Sequence, residues 1–200
     1  MSREQRYCQA SENNKIPILN ELRKQFSGCS AVLEIGSGTG QHAVYFAQHL
    51  PHLHWHTSDV PENHDSILAW LEDADLNNVN APVLFTIGQD QWPQGQYDGV
   101  FTANTSHIMQ KDEVELMMRL VAEHLPLGGV FCQYGPFTQN GKHKGEGNLL
   151  FDQHLRREGF GGYRDTTELQ NWGGALLTLS AIIDMPANNH LLVWHKKKES

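Results

Sequence analysis

Residues 34–40 read Glu-Ile-Gly-Ser-Gly-Thr-Gly and stand between the apolar run 31–33 and a helical pattern that begins at Gln41. Three glycines at alternate positions allow the backbone to turn tightly between a strand and a helix, and they carry no Cβ that would keep a ligand away. A ligand lying across this turn would therefore meet bare backbone amides. Alternatively, the glycines serve only the tight packing of the turn.

Two other glycine motifs do not fit this stretch. A dinucleotide fingerprint has its third glycine at the sixth position, which is Gln41 when counted from Gly36, so an NAD-type oxidoreductase is disfavoured. A phosphate-binding P-loop would end in Lys followed by Ser or Thr. What remains resembles the first motif of class I S-adenosylmethionine-dependent methyltransferases. This resemblance implies that the cofactor is bound by Glu34, Gly36, Ser37, Gly38 and Gly40.

Two carboxylates follow at positions where such a cofactor would need them. The run 52–57 alternates in polarity and predicts a second strand that ends at Asp59, about 20 positions beyond the glycines. An acidic residue at this distance accepts hydrogen bonds from the cofactor ribose. The third apolar run, 83–87, predicts a strand before Asp90 and Gln91, where a carboxylate would accept from the adenine amino group. For either aspartate, a solvated loop residue is the alternative.

Strand and helix patterns alternate along most of the chain. Ile18, Leu22 and Phe26 predict an amino-terminal helix that starts near Pro17. Two further strands are predicted at 99–103 and 130–134, with a helical pattern between them. The alternation of strands and helices favours a parallel sheet. The last two strand-like runs, at 175–183 and 191–195, are joined by a connection too short for a crossover helix. They predict an antiparallel hairpin.

These elements predict an α/β protein with one domain, residues 1–200. It resembles the Rossmann-like, seven-stranded methyltransferase fold, in which a mostly parallel sheet ends in an antiparallel hairpin and carries helices on both faces. Residues 1–28 are expected to form an amino-terminal helical segment. Residues 138–174 are expected to form an inserted lid over the substrate.

A set of short motifs extends the resemblance over nearly the whole chain: Asn14-Lys15, Gln41-His42, Ala103-Asn104 with His107-Ile108, 134–137, Phe151-Asp152 with Leu155-Arg156, Arg164-Asp165 and 185–189. In this combination the chain resembles a small family of methyltransferase-like proteins, the domain of unknown function 938, of methyltransferase-like 26 type. The resemblance implies S-adenosylmethionine as cofactor and S-adenosylhomocysteine as product. It implies no particular acceptor.

The acceptor is expected beyond the carboxyl ends of the strands, where open α/β sheets bind their ligands. Residues that follow the later strands and the hairpin loop become candidates for this site: Asn104, His107, Tyr134, Asn188 and Asn189. Asn148, Asp152 and Arg156 share one face of a predicted helix, which predicts a lid that presents polar groups to the acceptor. An ordinary surface ion pair between Asp152 and Arg156 is the alternative.

Three residues are candidates for catalysis. His107 is the candidate base, because an unperturbed imidazole titrates near neutral pH. A histidine that only satisfies loop carbonyls is equally compatible with the sequence. Tyr134 would orient the acceptor, and Asn104 would lie near both acceptor and cofactor.

Composition excludes several other classes of function. The net charge of −8 and the acidic pI of about 5.8 argue against general nucleic-acid or membrane-surface binding. No long apolar run and no secretory signal is present, and the three cysteines are widely spaced, so the protein is expected to be soluble and cytoplasmic. The twelve histidines lack metal-ligand spacing, so no metal is expected.

The acceptor class is left open between a small molecule and a protein. After the fourth strand the chain reads Asn104-Thr105-Ser106-His107 and lacks the Asn/Asp-Pro-Pro-Tyr/Phe run that is typical of amino methyltransferases acting on DNA bases and glutamines. Together with the acidic composition, this favours a small molecule or a protein as acceptor. A different class of function also fits the residues. The protein could bind S-adenosylmethionine or S-adenosylhomocysteine as a sensor or scaffold without transferring a methyl group.

Overall fold

The computed structural model describes residues 3–197. The first two and last three residues, which belong to the predicted domain 1–200 and in part to the predicted segment 1–28, lie outside the described residues. The described strands are β1 (Ala31–Glu34), β2 (His54–Asp59), β3 (Val79–Leu84), β4 (Gly99–Ala103), β5 (Val130–Gly135), β6 (Leu177–Met185) and β7 (Asn189–Lys196). The helices are α1 (Gln9–Gln25), α2 (Gln41–His49), α3 (His64–Ala74), α4 (Lys111–His124), α5 (Glu146–Arg157) and α6 (Thr166–Gly173).

The strands form one seven-stranded sheet in the order β3-β2-β1-β4-β5-β7-β6. β1 is parallel to β2 and β4, and β2 is parallel to β3. β7 is antiparallel to both β5 and β6. The predicted fold, a mostly parallel sheet with an antiparallel carboxy-terminal hairpin, is therefore confirmed.

The chain divides into two compact units, one up to Thr102 and one from Ala103 onward. The first unit contains α1 to α3, the first three strands and nearly all of β4. The second contains α4 to α6 and the last three strands. The single domain predicted for the whole chain stays a prediction.

The predicted start of the first helix is wrong. α1 begins at Gln9, so that Pro17 lies inside the helix. A proline inside a helix removes one backbone hydrogen bond and costs about 3 kcal/mol. Tertiary contacts offset this cost, because Ile18 and Leu22 are fully buried and Asn14 Oδ1 lies 2.7 Å from His42 Nε2 of α2.

The predicted end of the third strand is also wrong. β3 ends at Leu84, and the apolar residues up to Ile87 continue into a turn. The turn is closed by two hydrogen bonds between the same residues: Thr86 N donates to the Asp90 carboxylate at 2.7 Å, and Asp90 N donates to Thr86 O at 3.0 Å. A side chain that caps a turn can thus end a strand inside an apolar run.

The hairpin is tighter than predicted. The β6–β7 ladder continues to the pair Met185 and Asn189, so only residues 186–188 form the loop. Ala187 and Asn188 both have a φ of 57°, a left-handed conformation that suits short hairpin loops. The connection is shorter than predicted because Asp184 pairs with His190 and Met185 pairs with Asn189 in the ladder.

The core of the first unit is aromatic. Phe46 of α2 lies between Trp55 of β2 and Phe101 of β4, with ring centroids 5.6 and 5.5 Å away. All three side chains are buried. Such ring pairs are worth about 0.5–1.5 kcal/mol beyond the area that they bury. This cluster fixes α2, and with it the turn that precedes α2, against the sheet.

Gly40 joins the turn to α2 at a point of close approach to α3. Its φ is 98°, and a Cβ built on it would lie 2.9 Å from Ile67 Cα of α3. Gly38 also has a positive φ, of 60°, but a Cβ there would meet nothing within 4 Å. The two glycines therefore differ in packing although both have left-handed backbones.

Glu34, the last residue of β1, is a buried acid. Only 2% of its surface is exposed, and Trp55 Nε1 donates to its carboxylate at 3.4 Å. Burial raises the pKa of Glu34 to about 7, although hydrogen bonds from Ser37 and Trp55 oppose the shift. The neutral carboxylic acid is therefore favoured in the folded protein below about pH 7.

Gly40→Ala is expected to destabilise the protein clearly more than Gly38→Ala. Both substitutions force an L side chain into a left-handed backbone, at a cost of about 1–2 kcal/mol. Only the first also drives a Cβ into the α3 backbone, which adds about 1–3 kcal/mol. Urea unfolding of both variants measures the difference. Equal losses of unfolding free energy would contradict the close packing at Gly40.

Glu34→Gln is expected to become more stable relative to the native chain as pH rises from 4.5 to 8. The folded-state pKa of Glu34 lies above that of a free glutamate, so the contribution of this carboxyl to stability is full at acidic pH and is lost as pH rises through about 7. Between these pH limits, the unfolding free energy of the native chain is expected to fall by about 3 kcal/mol relative to that of Glu34→Gln.

Unfolding free energies at several pH values, compared with those of the exposed-site control Glu62→Gln, test this expectation. A difference between Glu34→Gln and the native chain that stays constant with pH would refute it. Other titrating groups are common to all three proteins and cancel in the comparison.

Candidate functional site

The glycine loop, residues 34–40, turns sharply at the carboxyl end of β1. Gly36 N and Ser37 N both donate to Ser58 O of β2, at 3.1 and 2.9 Å. Ser37 Oγ in turn accepts from Ser58 N at 3.1 Å. These bonds tie the loop to the neighbouring strand, and the side of Gly38 where a Cβ would stand remains open.

Asp59 joins the end of β2 to the same loop. One carboxylate oxygen accepts from Gly38 N at 2.6 Å, and the other accepts from Val60 N at 2.7 Å. The residue is 7% exposed, and burial raises its pKa although the two backbone hydrogen bonds act against the shift. Each carboxylate oxygen has a second lone pair, so Asp59 retains the capacity to accept from a ligand hydroxyl.

Asp90 and Gln91 lie in the loop after β3. Asp90 is half-buried and closes the turn at Thr86, while Gln91 is exposed. A carboxylate held by its own turn keeps a fixed direction. The predicted contact of these two residues with adenine stays a prediction.

Sequence reasoning missed a group of contacts between the amino-terminal segment and the glycine loop. Cys8 N donates to Gln41 Oε1 at 2.5 Å, and Arg6 N donates to Ser66 Oγ at 3.1 Å. Ser66 Oγ itself donates to Thr39 O at 2.8 Å. The segment before α1 therefore lies against the starts of α2 and α3. In the sequence, the Gln41-His42 motif was a signal for these contacts, because Gln41 accepts from Cys8 N.

In the second unit, Asn104 and His107 converge on the end of β5. Asn104 follows β4 with a φ of 55°, and its backbone N donates to Tyr134 O at 2.9 Å. Asn104 Oδ1 and His107 Nδ1 both lie 3.8 Å from the point where Gly135 would carry a Cβ. The absence of a side chain at Gly135 leaves room for both groups.

His107 differs electrostatically from a free histidine. It is buried and contacts the rings of Phe151 and Tyr163 edge-on, with centroids 6.2 and 6.1 Å away. Burial lowers the pKa of His107 to about 4, although the charge of Asp152 opposes the shift. The imidazole is therefore neutral at pH 7 and a weaker base than the sequence suggested.

Asp152 of α5 is a buried anchor. Its carboxylate accepts from His143 Nε2 at 2.7 Å, from Arg156 Nε at 2.9 Å and from Tyr163 N at 2.9 Å. Burial alone would raise the pKa of Asp152, but these hydrogen bonds outweigh it and lower the pKa below its usual value. The Asp152–Arg156 contact is thus part of a buried network, although half of the Arg156 side chain is exposed.

The remaining predicted acceptor residues lie where α5 meets the hairpin loop. Asn148 Nδ2 donates to Asn188 O at 3.0 Å. The side chain of Asn189 donates to Pro186 O at 3.3 Å within its own turn. The structure therefore brings Asn148 and Asn188 together, while Asn189 closes the loop.

The histidine-rich second strand forms local contacts. The rings of His54 and His56 lie 5.5 Å apart, and His52 Nε2 is 3.0 Å from Phe26 O. Across residues 3–197, no group of three histidine, cysteine or acidic side chains is arranged to hold a metal ion. In the same residues, no helix is both long and apolar enough to span a bilayer.

The two units offer different chemistry. The glycine loop leaves open space beside Gly38, and Asp59 presents a carboxylate that suits a ligand with hydroxyl groups. Asn104 and His107 present an amide and a neutral imidazole, which can orient a polar group or accept its proton. The glycine loop thus fits the cofactor that its motif implies, because Gly38 leaves open the space that a side chain would fill.

Several solved structures that share this fold are methyltransferases. Human N-acetylserotonin methyltransferase in complex with S-adenosylmethionine matches with a TM-score of 0.77 at 13% identity, over 94% of this chain and 53% of its own. The methyltransferase SibL matches with a TM-score of 0.76 at 17% identity, over 94% of this chain and 56% of its own. An O-methyltransferase family 2 protein from Planctomyces limnophilus, in complex with apigenin, matches with a TM-score of 0.73 at 18% identity, over 83% and 50%.

At these identities the likeness shows the fold. The chain spans about half the length of the solved structures that it matches. A family model matches much more specifically, over residues 5–196. The protein therefore belongs to the family described as protein of unknown function (DUF938).

Proposed function

We propose that this protein is an S-adenosylmethionine-dependent methyltransferase with a small-molecule acceptor, of methyltransferase-like 26 type. One observation carries the proposal: Asp59 is bonded to Gly38 N of a loop whose outer side is open, at the carboxyl ends of two adjacent parallel strands. Adenosine-containing cofactors bind open α/β sheets at this position.

The cofactor would be held by the first unit. The loop residues Glu34, Gly36, Ser37, Gly38 and Gly40 supply the turn, and Asp59 accepts from the ribose hydroxyls. Asp90 and Gln91 lie at the end of the next strand for the adenine. When bound, S-adenosylmethionine supplies a methyl group on a positively charged sulfur. Asn104 is the further residue that we assign to the cofactor.

The acceptor would be held by the second unit. We assign it the polar residues of α5, the hairpin and the segments after β4 and β5: Asn104, His107, Tyr134, Asn148, Asp152, Arg156, Asn188 and Asn189. Methyl transfer is an in-line displacement, so much of the rate comes from positioning. Asp152 contributes by holding α5 against Tyr163, and Tyr134 and Asn104 orient the acceptor.

His107 would accept the proton of the acceptor nucleophile. Because its pKa is lowered to about 4, the imidazole remains unprotonated across the physiological range. It is then available as a hydrogen-bond acceptor without a prior deprotonation step. Such a weak base serves only a nucleophile that becomes strongly acidic as the methyl group arrives, because base efficiency falls as the pKa drops below the working pH.

A small molecule is favoured over a protein acceptor. Apigenin is bound by one solved structure with this fold. Polyanionic acceptors such as nucleic acids are disfavoured separately, by the acidic composition of the chain. We place the reaction in the cytoplasm, because Cys8, Cys29 and Cys132 are thiols and not disulfides.

S-adenosylhomocysteine and S-adenosylmethionine are expected to bind with micromolar dissociation constants, about 8 kcal/mol at 1 μM, whereas NAD is not expected to bind. Asp59→Asn should weaken S-adenosylhomocysteine binding at least tenfold, because a hydrogen bond to a charged acceptor is worth about 1.5–3 kcal/mol. The asparagine keeps one oxygen for Gly38 N. Isothermal titration calorimetry measures both expectations.

Asp73→Asn on the exposed side of α3 is the matched control and should leave affinity unchanged. Circular dichroism confirms that both variants are folded. Binding of NAD in place of S-adenosylhomocysteine would refute the cofactor assignment. An unchanged affinity in folded Asp59→Asn would remove Asp59 from the site.

Methyl transfer is expected to the small-molecule fraction of a cell extract. The extract is separated by size and each fraction is incubated with the protein and methyl-labelled S-adenosylmethionine. His107→Ala should reduce transfer by about a hundredfold or more, the lower end of what a lost base costs, with S-adenosylhomocysteine affinity retained. His124→Ala, at the carboxyl end of α4, is the control. Cofactor binding without label in any fraction would instead indicate a sensor or scaffold.

A further inference from the structure

A second feature of the second unit is a cavity of about 640 Å³ between α5, α6 and the start of α4. Cavities of this size hold small molecules. The wall is strongly charged. Six ionic side chains line it, three basic and three acidic: Lys111, Arg156, Arg164, Asp152, Asp165 and Glu168.

The three acidic side chains already have protein donors. Asp152 accepts three hydrogen bonds, as described above. Asp165, the N-cap of α6, accepts from Thr138 Oγ1 at 2.8 Å, from Gly141 N at 2.7 Å and from Thr167 N at 2.9 Å. Glu168 accepts from Asp165 N at 3.1 Å and lies 3.3 Å from Lys111 Nζ. The carboxylates of the wall are therefore used within the protein.

Arg164 is the contrasting case. Only 4% of its surface is exposed, and its Nε is a buried nitrogen without a hydrogen-bond partner. Within residues 3–197 its guanidinium donates one hydrogen bond, from an Nη to Gly161 O at 2.9 Å, and its ion-pair partner Glu168 has a carboxylate oxygen 3.9 Å away. A guanidinium carries five N–H donors. A buried cation with so few partners is costly unless another acceptor approaches.

We propose that this cavity binds the carboxylate group of a small organic acid, with Arg164 and Lys111 as its cationic partners. A guanidinium and a carboxylate are both planar and match as a two-pronged pair. Lys111 reaches the same wall with a side chain that is 64% exposed, so its ammonium group can turn toward a ligand.

Other ligand classes fit the wall less well. A metal ion would need carboxylate oxygens that are already bonded to Thr138, Tyr163 and other donors. A phosphate dianion would gain little from its second charge, because the three acidic and three basic side chains of the wall cancel. The wall shares Asp152 and Arg156 with the proposed acceptor site, but carboxylate binding at Arg164 and Lys111 requires neither cofactor nor methyl transfer and is tested independently of the proposed function.

Titration of the protein with sodium acetate, benzoate and succinate at constant ionic strength tests the site. The arginine Nε–H signals are followed by ¹H–¹⁵N NMR, and the Arg164 signal is identified by its loss in Arg164→Gln. We expect a saturable shift of this signal with at least one acid, with a dissociation constant of about 1 mM or lower. Inorganic phosphate and sulfate are titrated in parallel.

Lys111→Gln should weaken binding by about tenfold, the effect of one lost charge-assisted hydrogen bond. This exposed substitution keeps the test valid if Arg164→Gln fails to fold. Arg119→Gln on the same helix is the matched control, because Arg119 is 61% exposed, pairs with Glu115 and does not line the cavity. Its affinity should equal that of the native chain.

Three outcomes would overturn the proposal. The first is the absence of a saturable shift with any carboxylate. The second is an equal loss of affinity in Lys111→Gln and Arg119→Gln, which would indicate general charge attraction. The third is saturation by phosphate or sulfate alone, which would exclude a carboxylate as the ligand.

Discussion

The hydrogen bond between Gly38 N and the Asp59 carboxylate is the interaction on which the candidate cofactor site depends. It joins a loop with left-handed residues to the end of the neighbouring strand, across a distance of 2.6 Å. Ordering a glycine-rich loop costs more backbone conformational entropy than ordering a loop of other residues. The bond to a charged acceptor, together with the two backbone bonds to Ser58, offsets that loss.

The second unit uses a buried carboxylate in a related way. Asp152 collects donors from α5, from His143 before the helix and from Tyr163 after it. A buried carboxylate is stable only when it is well bonded, so these three segments must stay together. The rings of Tyr163 and Phe151 then pack around His107, and this environment makes the imidazole neutral. The chemistry of His107 is therefore a consequence of the packing of α5.

Much of the fold and part of the candidate site could be predicted from local signals. The glycine spacing and the position of Asp59 depend only on strand–turn–helix geometry, which is repeated in many proteins. The hairpin followed from a connection that is too short for a helix. Two boundaries could not be predicted. Pro17 lies inside α1 because of contacts with α2, and β3 ends early because Asp90 caps a turn. The first cause is a tertiary contact, and the second is a side-chain cap four residues away that the apolar pattern of the strand does not reveal.

The sequence by itself determined the order of the strands and of the helices up to α5, the glycine loop and the acid at its side, because these depend on periodicity and on short-range backbone geometry. Only the tertiary structure decided the electrostatics. The lowered pKa of His107, the raised pKa of Glu34 and the buried, poorly partnered Arg164 all result from how the chain packs. Packing also adds His143 and Tyr163 to the helical partner of Asp152, Arg156. Burial and charge act through space, so a residue's spacing along the chain does not reveal them.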